Sequence, residues 1–431
     1  MSQFEVQLLL KQEEILKKTK HFDIPKQLFV EAFKRVKANS GAAGVDSQSI
    51  DQFEENLRDN LYKLWNRMSS GSYFPPAVKA VPIPKKSGGE RLLGIPTVGD
   101  RVCQMVVKLL LEPELEAIFL PDSYGYRANK SALEAIEITW QRCRRYPWIL
   151  EFDIKGLFDN IPHDLLMKAV QKHVKNKWII LYVKRWLEAG MKMSSGVVVS
   201  RKKGTPQGGV ISPILSNLFL HYAFDYWMMR HYPDVEWCRY ADDGLLHCNS
   251  QYHANKLLNA LSQRFKECGL ELHPDKTRVV YCKNSNRKGK YPHKSFDFLG
   301  YTFRERTCKN PKIGKLFTGF GPAASKASMK AMRLKIRRSN LRSRTDLNLD
   351  DIASWFNPII QGWLNYYGKF NRSELYKVWR HFNQSLMAWV MKKYKPFRKR
   401  KTKAGKFLER IAKERADLFA HWRIGMIGVF I

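Results

Sequence analysis

Acidic residues are in short supply. Across 431 residues, 40 Asp and Glu face 75 Lys and Arg, which leaves a net charge of +35. A compact particle with that imbalance repels itself, so a polyanionic partner is expected. Long apolar runs are missing too. Stretches such as 352–363 are short and broken by polar residues, well under the roughly 20 apolar residues of a membrane span. The polyanion is therefore read as nucleic acid, with no membrane partner. The opening Met1-Ser2-Gln3-Phe4-Glu5 has no basic stretch leading into an apolar one, so no signal peptide and a cytoplasmic location are expected. Cysteine is sparse, seven in all with none in CxxC spacing, which argues against a disulfide framework or zinc knuckle and for a reducing compartment. Internal repeats are absent, and the one biased tract is a basic run near 392–406.

What is present suffices for a folded core: 44% of residues are apolar and 13% aromatic. The length predicts two or three domains. Helical periodicity runs over 5–38, divided at Pro25, and over 51–68. Residues 78–84 alternate like a strand whose prolines suggest a sheet edge. A basic glycine turn, 85–91, leads to a returning strand at 92–95. Further helices are expected at 100–119, 163–189, 211–229 and 253–268. Strands are expected at 148–154, within 236–248, at 277–281 and at 296–303. From about residue 324 the chain is helical, aromatic and basic. Interleaved strands and helices predict an α/β or α+β core, read here as α+β because helices alone follow it. The expected domains are an N-terminal helical extension (1–70), a strand-containing central region (71–306), a Gly- and Pro-bearing linker (307–328) and a helical region (329–431).

Three acids stand out. Asp153 closes an apolar strand, and Asp242 and Asp243 occupy a turn between two short strands. Carboxylates at the ends of buried strands are costly unless they meet a cation. Converging, they suit a pair of Mg²⁺ ions about 3.5–4 Å apart, the arrangement used in phosphoryl transfer. The plain alternative is that Asp243-Gly244 is an ordinary hairpin turn.

Tyr240-Ala241-Asp242-Asp243 resembles the hallmark box of reverse transcriptases, Phe152-Asp153-Ile154-Lys155-Gly156-Leu157-Phe158-Asp159 their first catalytic box, and Gly204-Thr205-Pro206-Gln207-Gly208-Gly209 the box that shapes the nucleotide pocket. Together, in this order, they are similar to the group II intron-encoded reverse transcriptase/maturase family, over nearly the whole chain. The resemblance implies a right-hand polymerase with fingers, palm and an all-helical thumb that doubles as maturase domain X, the latter carried by 352–368. It implies RNA-directed DNA polymerase activity with Mg²⁺ (Mn²⁺ as a substitute) held by Asp153, Asp242 and Asp243, the last less directly. The implied partners are an RNA template with its DNA primer, deoxynucleoside triphosphates, group II intron RNA for splicing and mobility, and target DNA. Oligomeric state is left open.

The same resemblance assigns further residues. Phe158 matches a bulky gate beside the sugar 2′ position. Lys85 and Arg91 flank the turn of a fingers hairpin that folds over the triphosphate, Gln207 contacts the incoming nucleotide, and Lys276 matches a lysine that protonates the pyrophosphate. Arg127 falls in a segment near the template, with a structural salt bridge as its alternative. Phe298-Leu299-Gly300-Tyr301 resembles the primer grip. Nine of the fifteen residues 392–406 are Lys or Arg and none is acidic, which favours phosphate contact through Lys392, Lys393, Arg398, Lys399, Arg400 and Lys401. No Cys-rich or His-Asn-His-type endonuclease segment is found before Ile431, so mobility is expected to draw its primer from elsewhere, such as a nascent strand at a replication fork. Two other roles share these motifs: a host-adopted enzyme of DNA repair or phage defence, and a splicing cofactor with no polymerase activity.

Overall fold

The computed structural model describes residues 21–84, 88–309, 313–428 and 430. The first of the two expected N-terminal helices, Lys85 and part of the expected linker lie outside the described residues. The second helix starts directly after Pro25, which caps Lys26–Ala38 with extended backbone. The chain forms two compact units. One comprises Met1–Ser131, Phe152–Leu245 and Asn255–Thr277; the other comprises Ala132–Glu151, Leu246–Ala254 and Arg278–Ile431.

Eleven strands are described: β1 (Val78–Pro84), β2 (Glu90–Ile95), β3 (Trp148–Asp153), β4 (Met191–Lys192), β5 (Val198–Val199), β6 (Trp237–Tyr240), β7 (Asp243–Cys248), β8 (Arg278–Tyr281), β9 (Ser295–Phe298), β10 (Tyr301–Lys309) and β11 (Leu316–Ala324). They form sheets ordered β2-β1-β4-β5, β6-β7-β3-β8 and β11-β10-β9. The α+β class expected from the sequence is the observed one. β4 and β5 were invisible to patterning because two residues carry no period.

Three expectations need correction. β1 is not an edge strand: it pairs with β2 along 79–84 and also with β4, but only at Val78 and Lys79. Pro82 and Pro84 pair with β2 but lie beyond the β4 pairing, so on that side no strand asks for an N–H. The helix expected over 163–189 is two, His163–His173 and Lys177–Glu188. The linker expected at 307–328 is structured: β10 and β11 pair antiparallel from Tyr301↔Ala324 to Lys309↔Leu316. Two of its glycines, Gly319 and Gly321, are strand residues. A Cβ on Gly321 would stand 3.0 Å from Trp140 Nε1, and one on Gly319 would stand 3.1 Å from Cys308 Sγ.

In the second unit the four helices Lys326–Arg338, Leu349–Tyr367, Tyr376–Lys393 and Lys401–Glu414 enclose a core that includes Trp379, Phe382, Trp389, Phe419 and Trp422. Most of the aromatic residues that dominate this segment are thus packing residues, Trp355 and Tyr376 being exposed. Asn348 starts the second of these helices with a reciprocal cap to Asp351, an arrangement that satisfies two otherwise orphaned donors. No helix among the described residues is long and apolar enough to cross a membrane.

Candidate active site

The three acids lie in the first unit, at the C-terminal end of β3 and in the β6–β7 turn. A backbone hydrogen bond ties the two elements together, Ile154 N donating to Asp242 O at 3.3 Å, and His273 N, from the segment before β8, fixes the end of β3 by donating to Asp153 O at 2.8 Å. Gly244 allows the approach, since a Cβ there would sit 2.1 Å from the Phe152 ring. Phe152 in turn packs on Phe224 and Phe265. The turn itself is unusual: Ala241 has φ +55°, a left-handed conformation that non-glycine residues adopt rarely.

That conformation is braced from below by Arg239, whose side chain is fully buried. Its Nε and Nη2 donate to Asp225 Oδ1 and Oδ2 at 2.7 and 2.6 Å. Its remaining donors reach Asn217 Oδ1, Ser123 Oγ and the carbonyl of Ala241. Asn217 continues the brace by donating to Gly125 O at 2.7 Å. Asp225 reaches this position from the last residue of a π-helical turn, His221–Asp225, the kind of bulge that re-aims side chains at functional sites. Sequence reasoning missed this network, because a buried ion pair leaves no periodic signature.

The acids perturb one another. Asp243 is pushed up to about 7, first by burial, then by the charges of Asp242 and Asp153 and a hydrogen bond with Asp153. Asp242 is raised by burial and by Asp153. Lys276 donates from Nζ to Asp153 Oδ2 at 2.8 Å. Burial works against its charge, but that hydrogen bond and the field of the three acids outweigh it and hold its pKa above the usual lysine range. Among the described residues no three His, Cys, Asp or Glu side chains form a ready-made metal cage. Mg²⁺ does not require one, because it is commonly held by one or two carboxylates together with water and substrate phosphates. Three carboxylates meeting in one place, with the Lys276 ammonium as local counter-charge, are a donor set that fits such an ion.

Around the acids stand several of the other expected residues. Phe158 is half-buried on the short helix Leu157–Asn160, which follows Gly156 in left-handed backbone at φ +59°. The 204–209 loop docks on this segment through Thr205 N to Phe158 O at 2.7 Å and Gly204 N to Ile161 O at 2.7 Å. Gln207 donates to Asp159 Oδ2 at 3.3 Å, and its carbonyl accepts from Gly94 N of β2 at 2.7 Å. Arg91 is exposed on β2.

Tyr126 is a residue that sequence reasoning passed over, although it sits inside the quoted Ser123–Arg127 segment. It has φ +57° and is 52% exposed. Its ring meets Phe158 edge-on at 6.4 Å. Its hydroxyl is pushed up by burial and by Asp242, and drawn down by Arg91, which puts it in the field of both. A second missed element is buried Asp100, which accepts from Tyr73, Trp186 and Gln104 at 2.6, 2.7 and 2.9 Å. Gln104 then accepts from Ile211 N, at the far end of the 204–209 loop.

The structure does not bring all expected residues to the surface. Arg127 is 5% exposed in its side chain and is spent on structure: it pairs with Glu116 and donates to the carbonyls of Phe119, Leu120 and Ser123. No donor is left for a template phosphate, so the salt-bridge alternative describes it. In the second unit, Phe298 and Tyr301 are 3% and 0% exposed, which corrects their reading as nucleic-acid contacts. Only Leu299 and Gly300, at φ +50° and +81°, form the two-residue turn between β9 and β10, as tight hairpins require. That turn is tied down as well. Leu299 O accepts from Tyr366 Oη, and Gly300 O accepts from Ser325 N and Ser328 Oγ. In the basic run Lys392 and Lys393 donate to Ser343 Oγ and Leu347 O. Arg398, Lys399, Arg400 and Lys401 are exposed.

Comparison with known proteins agrees with the arrangement. Residues 83–303 match the family described as reverse transcriptase (RNA-dependent DNA polymerase). Residues 329–406 match the group II intron maturase-specific domain. Protein YkfC of Escherichia coli is 31% identical over 239 residues, 47% of this chain and 62% of that protein. The group II intron-encoded protein LtrA of Lactococcus lactis is 30% identical over 212 residues, 48% of this chain and 35% of that protein. An uncharacterized 91 kDa protein in the cob intron of Schizosaccharomyces pombe is 26% identical over 421 residues, 81% of this chain and 50% of that protein. The chain thus spans less than two thirds of the length of each of these relatives. With the first match covering more than half of its residues, the chain belongs to the reverse transcriptase family and carries, after its polymerase region, the maturase-specific domain of group II introns.

Proposed function

We propose that this protein is an RNA-directed DNA polymerase that also binds group II intron RNA, promoting its splicing and mobility. The observation that carries the polymerase reading is the meeting of Asp153, Asp242 and Asp243, where burial and then the neighbouring carboxylates raise the pKa values of Asp242 and Asp243. Asp153 and Asp242 would be the principal ligands of the divalent ions, Mg²⁺ or Mn²⁺, with Asp243 contributing less directly. When bound, such ions supply charge neutralisation at the attacking and leaving oxygens. The protein's own groups position the substrates. Phe158 stands where a ribose 2′-OH would collide, and Tyr126 holds its ring from the side. The glycines of the 204–209 loop let Gln207 and the backbone approach the incoming base pair. Arg91 offers a bidentate contact to the triphosphate, with Lys85 as its companion. The proton on Lys276 Nζ, shared with Asp153 Oδ2, is the acid available to the departing pyrophosphate. The four exposed cations 398–401 are the RNA-backbone contacts, and target DNA is the further polyanion implied by mobility. Seven free thiols, six of them buried, suit a reducing cytosol.

Primer extension on an RNA template with Mg²⁺ tests the polymerase, run beside a splicing assay on the intron RNA encoded around the gene. No extension by the intact protein would refute the first reading. Extension without any splicing effect would favour a host-adopted enzyme. Two variants sharpen the test. Phe158→Ala is expected to lower the preference for deoxyribonucleotides over ribonucleotides about 10–200-fold in kcat/KM, the range set by steric pocket discrimination; an unchanged ratio removes Phe158 as the gate. Replacing Arg398, Lys399, Arg400 and Lys401 with Gln is expected to flatten the dependence of log affinity for RNA on log salt by about 0.7 for each phosphate that is no longer neutralised. An unchanged slope in filter binding would place the RNA contact elsewhere.

A further inference from the structure

The second unit holds an open cavity of about 590 Å³ beside the β10–β11 hairpin, unconnected with any residue assigned above. That volume lies within the range of small-ligand sites. One wall is the Trp140 indole. It is fixed in place by its own Nε1–H, which donates to Phe320 O at 3.1 Å, and by Phe370, which meets it edge-on at 5.9 Å. The Arg144 guanidinium lies over that indole at 4.2 Å. Phe317 on β11 also lines the cavity and is 46% exposed, a large apolar ring left in water. The rim is amide and hydroxyl: Asn284, Ser285 and Asn286 on one side and Asn371 on the other. Ser285 anchors the first group to the hairpin by accepting from Thr318 N at 2.8 Å and donating to Thr318 O at 3.1 Å. No carboxylate is among the described residues that line the cavity.

A rigid aromatic wall, a guanidinium plane and uncharged amides at the mouth are the parts that take an unpaired base. Ring faces stack on it, and amides meet its edge. The missing carboxylates matter, because they would repel the phosphates on either side of that base. A net charge of +35 draws the same partner. An apolar small molecule would use the rings but not the guanidinium of Arg144 or the amides of the asparagines. We infer that this cavity is an accessory site for a single unpaired nucleotide of a single-stranded nucleic acid, received on the surface that Trp140, Arg144 and Phe317 line. The inference rests on the reading of the chain as a nucleic-acid enzyme, and adds to it a contact made by residues other than the acids and the basic run.

The test uses the full chain and a short single-stranded oligonucleotide bearing one 2-aminopurine among abasic sugars, with an all-abasic oligonucleotide of the same length as reference. Binding to the protein should quench the 2-aminopurine, and its affinity should exceed that of the abasic oligonucleotide by about 5- to 150-fold, the worth of one stacked base. Phe317→Ala and Arg144→Gln, both on exposed side chains, should remove that excess while leaving extension of a primer on a short template unchanged. A photoreactive 5-iodouridine at the same position should crosslink to Trp140 or Phe317. Equal affinity for the two oligonucleotides, or an excess and crosslinks that survive both substitutions, would overturn the accessory site while extension stands. Failure of the wild-type protein to extend a primer would instead count against the polymerase reading.

Discussion

Asp242→Asn should reduce primer extension on the order of 10³-fold or more, since losing several kcal/mol of stabilisation of transition-state charge corresponds to that factor. RNA affinity should stay within about twofold, because one carboxylate among 40 acids and 75 bases barely alters the long-range field. The substitution is conservative in shape. The backbone link between the strands runs through the Asp242 carbonyl, which accepts from Ile154 N, so an amide side chain leaves it in place. Stability should hold or rise. Asp242 has its pKa raised in the folded protein, by burial and then by Asp153. A carboxyl raised above its unfolded value is better tolerated protonated, so its charge opposes folding once the pH exceeds the unfolded pKa. A neutral Asn removes that opposition at neutral pH, and the melting temperature should not fall. Such a pattern, activity lost and stability kept, is expected of a residue retained for chemistry at a cost to the fold. Primer extension, filter binding and thermal denaturation on one preparation check it. Joint loss of extension and RNA binding, or extension that survives, would remove Asp242 from its assigned role.

Asp153 and the Asp242–Asp243 pair were legible in the sequence because each ends or turns a strand whose apolar run is visible without a partner. The packing between them was legible only in part: Gly244 looked like a turn residue, whereas its main constraint is the Phe152 ring beneath it. The β10–β11 hairpin was misread because Gly319, Gly321 and Pro322 are turn-formers by composition. What makes them strand residues is Trp140 and Cys308, more than 170 positions and 11 positions away from Gly321 and Gly319 respectively. Arg127 has the same difficulty. A positive charge in a template-like segment gives no hint that Glu116 and three carbonyls already surround it. Phe298 and Tyr301 looked like a grip and are core. In each case the residue type was clear and the direction of its side chain was decided by tertiary contacts.

Asp225→Ala should destabilise the first unit by about 3–5 kcal/mol, the range for removing one partner of a buried ion pair. At 2–4 °C per kcal/mol for a unit of this size, its thermal transition should fall by about 6–20 °C. Both side chains of the Arg239–Asp225 pair are 0% exposed, so the guanidinium left behind has neither a counter-charge nor water. Desolvation of that orphan charge, more than loss of attraction, sets the size of the effect. The consequence for chemistry is separate. Arg239 Nη1 donates to Ala241 O at 3.1 Å and Nη2 to Ser123 Oγ at 2.8 Å. Those hydrogen bonds brace the left-handed Ala241 just before Asp242. Asp225→Ala with Arg239→Met replaces the pair by apolar groups, and should recover much of the stability, as buried pairs exchanged for packing groups often do. It should not recover primer extension, since the donors to Ala241 and Ser123 are gone. A double variant restored in both respects would mean that the pair only fills space beneath the turn. One restored in melting temperature alone would identify Arg239 as a residue that positions the acids, with kcat reduced and nucleotide KM little changed.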